Sequence, residues 1–121
     1  CDEVRVCKGM KRMLEAGVNP NRMTISSDGQ GSLPMYSKDG EFLGMGVGQS
    51  SCLLKEVKEC VFKADIPLEI ALSTITSNPT EILRLKGKGK IEEGYDADLC
   101  ILDQDLQLVE VIARGKTVYT K

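Results

Sequence analysis

A chain of 121 residues that is 41% hydrophobic and 28% charged is long enough for one modest core and too apolar for a disordered segment. Its formal net charge of -2 leaves no electrostatic footprint for nucleic acid or an anionic membrane, so neither is expected as a partner. Five cysteines, an odd set with no C-x-x-C pair and no secretory signal before them, read as those of a reduced, cytoplasmic protein.

The predicted elements begin at the first residue. "CDEVRVCKGMKRMLEAG" opens on Cys1 already in a helical pattern, which reads as the tail of something longer. Apolar residues at Val4, Cys7, Met10, Met13 and Leu14 share one helix face, and Gly17 stops the helix, which is expected over Val4 to Ala16. "VNPNR" is a turn-rich connection and "MTISS" a short strand, expected around Thr24 to Ser27. Helix, tight loop, strand is the rhythm of a parallel α/β protein, in which sites gather at the carboxyl ends of strands.

Between Pro34 and Gly48, a Lys38-Asp39-Gly40 turn flanked by short apolar runs predicts a small hairpin or ordered excursion, too glycine-rich to be core. Ser50 or Ser51 can cap the next helix, whose stripe of Leu53, Leu54, Val57, Cys60 and Val61 opposes Lys55, Glu56, Lys58 and Glu59. Pro67 suits a first helical position, with Leu68, Ala71, Leu72 and Ile75 on the buried side. A third short helix is expected from the Asn78-Pro79 cap to near Leu85. Beyond it, strands are expected at Leu99 to Leu102, Leu108 to Ala113 and Val118 to Tyr119, with Arg114-Gly115 as a hairpin turn.

Few residues carry chemistry. The lysine-glycine alternation at Lys86 to Lys90 lacks the serine or threonine and the glycine spacing of a phosphate loop, and reads as a solvated turn. Gly44 to Gly48 is an equally weak dinucleotide match. Cys7, Cys60 and Cys100 fall on apolar positions and read as small buried hydrophobes. Asp28 stands apart: at the mouth of a strand, before Gly29, its carboxylate can bind a metal or take a proton from water, or simply cap an Asp-Gly turn. Ser32, in the glycine-rich loop, can donate to a substrate carboxylate or to its own backbone.

"TISSDGQGSLP" resembles the segment after the eighth barrel strand of bacterial beta-aspartyl (isoaspartyl) dipeptidases, members of the amidohydrolase superfamily. "ALSTITSNPTEILRL" looks like that superfamily's closing helices, and "KGKIEEGYDADLCILD" like its return into a β-sandwich. The resemblance implies an α/β fold. Residues 1–85 would be the C-terminal part of a TIM-barrel amidohydrolase, with its last helix, strand and closing helices, and residues 86–121 the strands of a small β-sandwich. It also implies a zinc-dependent hydrolase of beta-aspartyl dipeptides, a homo-oligomer when complete, whose two zinc ions are held by four histidines and a carbamylated lysine. Asp28 would touch one zinc and carry the proton, and Ser32 would bind the substrate's carboxylate. The departure is that this chain has no histidine, so alone it is expected neither to hold the zinc ions nor to be active. The competing readings are a cyclic-amide amidohydrolase such as a dihydroorotase or hydantoinase, and a noncatalytic scaffold piece.

Overall fold

In the computed structural model, which describes residues 3–121, helix α1 (Glu3–Glu15) forms where the apolar spacing requires it. Its end is set at Gly17, which sits at a φ of 80° and donates its N–H to the Leu14 carbonyl. A short 3-10 turn (Pro20–Arg22) follows, capped by the Asn19 side chain, which accepts from the Asn21 N–H at 3.0 Å.

The expected strand at Thr24 to Ser27 is not a strand. The segment has no ladder partner among the described residues; the Ile25 N–H donates to the Thr74 carbonyl at 3.2 Å. Strand character is a property of a pair, and both sheets among the described residues are antiparallel and built from residues further along. The segment is nevertheless well anchored, since Met23 is buried and Ile25 packs against the core.

The hairpin is present. Strands β1 (Ser32–Tyr36) and β2 (Phe42–Val47) pair antiparallel with Ser32 opposite Val47, and a register shift falls between Met35 and Tyr36. Its turn is held by Ser37, whose hydroxyl accepts from the N–H groups of Asp39 and Glu41 at 3.2 and 3.1 Å. Tyr36 and Phe42 meet edge to face at 5.9 Å, and both are exposed, in keeping with a hairpin that does not contribute to the core.

Helix α2 (Cys52–Ala64) packs against α1, and Cys7, Met10, Val57, Cys60, Ile66 and Ala71 form the centre of the core. Two expectations about α2 are corrected. Ser51 occupies the cap position but is itself helical in φ and ψ and makes no side-chain cap bond. Glu56, expected on the solvent face, is buried beside Val57 in sequence. The helix ends where Asp65 takes a left-handed φ of 55° and the Ile66 N–H turns back to the Cys60 carbonyl, which delivers the Ile66 side chain into the core. Helix α3 (Leu68–Ser73) follows with Pro67 as its cap residue, one position before the expected one. Ala71 is buried as expected, but Leu68 is exposed.

The chain divides into two compact units, Cys1–Ile75 and Thr76–Lys121. The second opens with α4 (Ser77–Ile82), which starts just before the predicted Asn78-Pro79 cap and ends three residues before Leu85. It continues into a sheet of β3 (Leu99–Leu102), β4 (Leu108–Ala113) and β5 (Lys116–Thr120) in the order β3-β4-β5. Arg114 and Gly115 make the β4-β5 turn with φ of 47° and 76°, the paired left-handed conformation that a two-residue hairpin requires. One cysteine was misjudged: Cys100 lies on β3 but is exposed, while Cys7 and Cys60 are buried.

Candidate functional site

The loop from Ser26 to Ser32 is built by short-range hydrogen bonds. The Ser26 hydroxyl accepts from the Asp28 N–H at 3.4 Å and the Ser27 hydroxyl from the Gly29 N–H at 3.2 Å, so the serine pair props up the turn that follows it. That use of two residues read as plain polar was missed; their position two residues before a backbone donor was the available signal. Asp28 adopts a left-handed φ of 47°, its carbonyl accepts the Gly31 N–H at 2.9 Å, and Gln30 takes a φ of 69° inside the turn so closed.

The turn is tied to the end of β2. The Gln30 N–H donates to the Gly48 carbonyl and the Gly48 N–H to the Gly31 carbonyl, both at 2.9 Å. Asp28 is exposed, with its side chain folded over Gly31. Ser32, placed in the loop by sequence, is the first residue of β1, exposed, and opposite Val47. The two predicted site residues therefore stand at the two ends of one five-residue segment, a turn running straight into a strand.

Beside this segment lies an open pocket of about 290 Å³. Its walls include Ser27, Leu33 and Gly48, which flank the turn, and Cys52, Lys55 and Glu56 from the first turns of α2. Asp28 and Ser32 themselves lie outside its walls.

A catalytic zinc is retained by about three protein ligands. Among the described residues no group of three histidine, cysteine or acidic side chains is placed to hold a metal ion, and Asp28 offers one carboxylate. Asp28 alone does not make such a site, and no step is derived through a metal. Among the described residues no helix is long and apolar enough to cross a membrane.

The family model described as "Amidohydrolase family" matches residues 4–118. The chain belongs to the amidohydrolase family. Metal ions are common in that family. A dihydroorotase from Thermoplasma acidophilum is 29% identical over 100 residues, covering 83% of this chain and 24% of the relative. An allantoinase from Desulfitobacterium hafniense is 33% identical over 88 residues, or 70% of this chain and 19% of that one. Among solved structures, a beta-aspartyl dipeptidase from Fervidobacterium islandicum AW-1, in complex with beta-Asp-Leu dipeptide, superposes with a TM-score of 0.79 at 36% identity. The match covers 94% of this chain and 29% of that chain. The chain thus spans about a quarter of the length of the amidohydrolases it matches, and its α/β fold with small antiparallel sheets is theirs.

Proposed function

We propose that this chain is the C-terminal part of a zinc-dependent amidohydrolase that cleaves beta-aspartyl dipeptides, with Asp28 as its acid-base carboxylate and Ser32 as a contact to the substrate's carboxylate. The observation that carries the reading is the turn from Ser26 to Ser32, which holds an exposed carboxylate and an exposed hydroxyl on one braced segment. Support comes from the 36% identity to a dipeptidase solved with its dipeptide.

In this reading Asp28 accepts a proton from the water that attacks the amide carbonyl, and the carboxylic acid so formed returns that proton to the leaving amine nitrogen as the tetrahedral adduct collapses. The C–N bond breaks and the two products separate as acid and amine. The Ser32 hydroxyl donates to a substrate carboxylate and fixes which end of the dipeptide faces Asp28. Asp28 would also be one ligand of the metal site implied by the resemblance, its other ligands lying outside residues 1–121.

A second reading is favoured by the curated relatives, a dihydroorotase and an allantoinase: hydrolysis of a cyclic amide. Incubating the full-length protein with beta-Asp-Leu, dihydroorotate and allantoin separates the two. Turnover of the dipeptide and neither ring is expected; turnover of a ring alone would replace the dipeptidase reading.

A further inference from the structure

Gly31 is the residue on which the Asp28 carboxylate rests. A Cβ built there would lie 2.8 Å from Cγ, Oδ1 and Oδ2 of Asp28, against an ordinary contact of about 3.5 to 4.0 Å between non-bonded carbons. Equal distances to all three atoms put that Cβ over the face of the carboxylate. One of the two must move.

The backbone of Gly31 is poorly placed to yield. Its N–H donates to the Asp28 carbonyl and its carbonyl accepts from the Gly48 N–H, each at 2.9 Å, so it is pinned to the turn on one side and to the end of β2 on the other. The Asp28 side chain, exposed and free to turn about its Cα–Cβ bond, is the part that can give. Gly31 also lies outside the left-handed region, so alanine fits its backbone φ, and the nearest atoms its Cβ would meet are those of the carboxylate. At Gly29, two residues earlier, a Cβ would meet the Ser27 hydroxyl at 3.2 Å and the Ser50 backbone nitrogen at 3.9 Å.

We infer that Gly31 is a positioning residue for the reaction, one whose missing side chain lets the Asp28 carboxylate lie in the rotamer from which it handles the proton. The inference rests on the reading of Asp28 as the acid-base group. It adds that the glycine three residues on serves the carboxylate, besides serving the turn.

The test is a double-mutant cycle in the full-length enzyme, with Gly31→Ala, Asp28→Asn and the two combined, assayed on beta-Asp-Leu, together with the melting temperature and a crystal structure of Gly31→Ala. A carboxylate displaced by about 1 Å is expected to lower kcat by on the order of a hundredfold. KM should stay within about threefold, because ground-state binding is untouched. The melting temperature should stay near that of the wild type, the carboxylate should be rotated off residue 31, and the double variant should be no slower than Asp28→Asn alone. A kcat near normal, a loss that multiplies with that of Asp28→Asn, an unmoved carboxylate, or a Gly31→Ala protein that does not fold would each overturn the inference. If the wild-type enzyme leaves beta-Asp-Leu intact, the dipeptidase reading fails separately and the cycle is run on whichever of dihydroorotate and allantoin is turned over. With no turnover of any of the three, the position of the carboxylate in the crystal structure decides.

Discussion

The backbone N–H of Arg114, in the β4-β5 turn, donates to Oδ1 of Asp98 at 2.8 Å, joining two residues sixteen apart in sequence. The other carboxylate oxygen of Asp98 is taken by the Lys88 ammonium, which also reaches Asp96 at 2.7 Å. The left-handed hairpin turn and the glycine-rich turn at Lys88 are therefore clamped by one side chain. The Lys88 hydrogen bond, followed by that from Arg114, holds the Asp98 carboxyl below the usual carboxylate range. A lowered carboxyl pKa stabilises the fold at pH values above the unfolded one and loses that contribution as pH falls through the folded one. Asp98→Asn is expected to lower the melting temperature at neutral pH, and the gap to wild type should close as pH drops below roughly 4, the ordinary carboxylate value. A gap that stays constant from pH 7 to about 3 in thermal melts would show that charge plays no part in the clamp.

The thiols should separate by reactivity. Burial, then the neighbouring Cys7 and the acidic Glu56 and Glu59, push the Cys60 thiol up to about 11. Its Sγ faces the sulfur of Met10 at 3.8 Å inside the core. The thiolate is the nucleophile, so at pH 8 Cys60 is almost wholly inert, whereas Cys100 is exposed on β3. Brief alkylation followed by peptide mass spectrometry should mark Cys100 in the native protein and reach Cys7 and Cys60 only after denaturation.

Much of the second unit was legible because its signals are local. Arg114-Gly115 between two apolar runs specifies a two-residue hairpin whatever surrounds it, and the Lys38-Asp39-Gly40 turn did the same for β1 and β2. The helices α1 and α2 were legible from their apolar spacing. The segment at Thr24 to Ser27 was misread because alternation and β-branched residues describe what a strand prefers, whereas its ladder depends on residues distant in sequence. Glu56 was misplaced for another reason: its charge assigned it to solvent, whereas at four residues from Cys60 it shares the helix face that carries the buried stripe of Val57, Cys60 and Ala64. Asp28 and Ser32 were visible as residue types in a suggestive order, but the bracing of their turn by Ser26, Ser27 and Gly48 is a matter of geometry.

The core gives a calibrating measurement. Val57 is completely buried between α1 and α3 residues in the core cluster, where two methyl groups lost in Val57→Ala leave a cavity that close-packed neighbours fill only in part. The expected loss of stability is roughly 1.5 to 3 kcal/mol, combining the transfer of two carbons with the cavity term. Denaturant melts of the two proteins measure it, and a loss below about 0.5 kcal/mol, the size typical of a surface site, would mean that α2 does not pack as described.

The two site residues should fail in different ways. Asp28→Asn keeps the size and hydrogen-bonding reach of the side chain but removes the basic oxygen, and general acid-base catalysis is worth on the order of a hundred- to ten-thousand-fold. Because that contribution exists only once the proton is in flight, the loss should fall on kcat, with KM little changed. If Ser32 contacts the substrate's carboxylate as proposed, Ser32→Ala removes one hydrogen bond to a charged group, roughly 1.5 to 3 kcal/mol. A contact equally strong in the ground and transition states acts on binding alone, so this variant should raise KM by about ten- to a hundredfold and spare kcat. Steady-state kinetics of the full-length protein on a beta-aspartyl dipeptide reads both parameters at once. A near-normal kcat for Asp28→Asn would take the proton away from Asp28, and a kcat effect without a KM effect for Ser32→Ala would move that hydroxyl from holding the substrate to holding the turn.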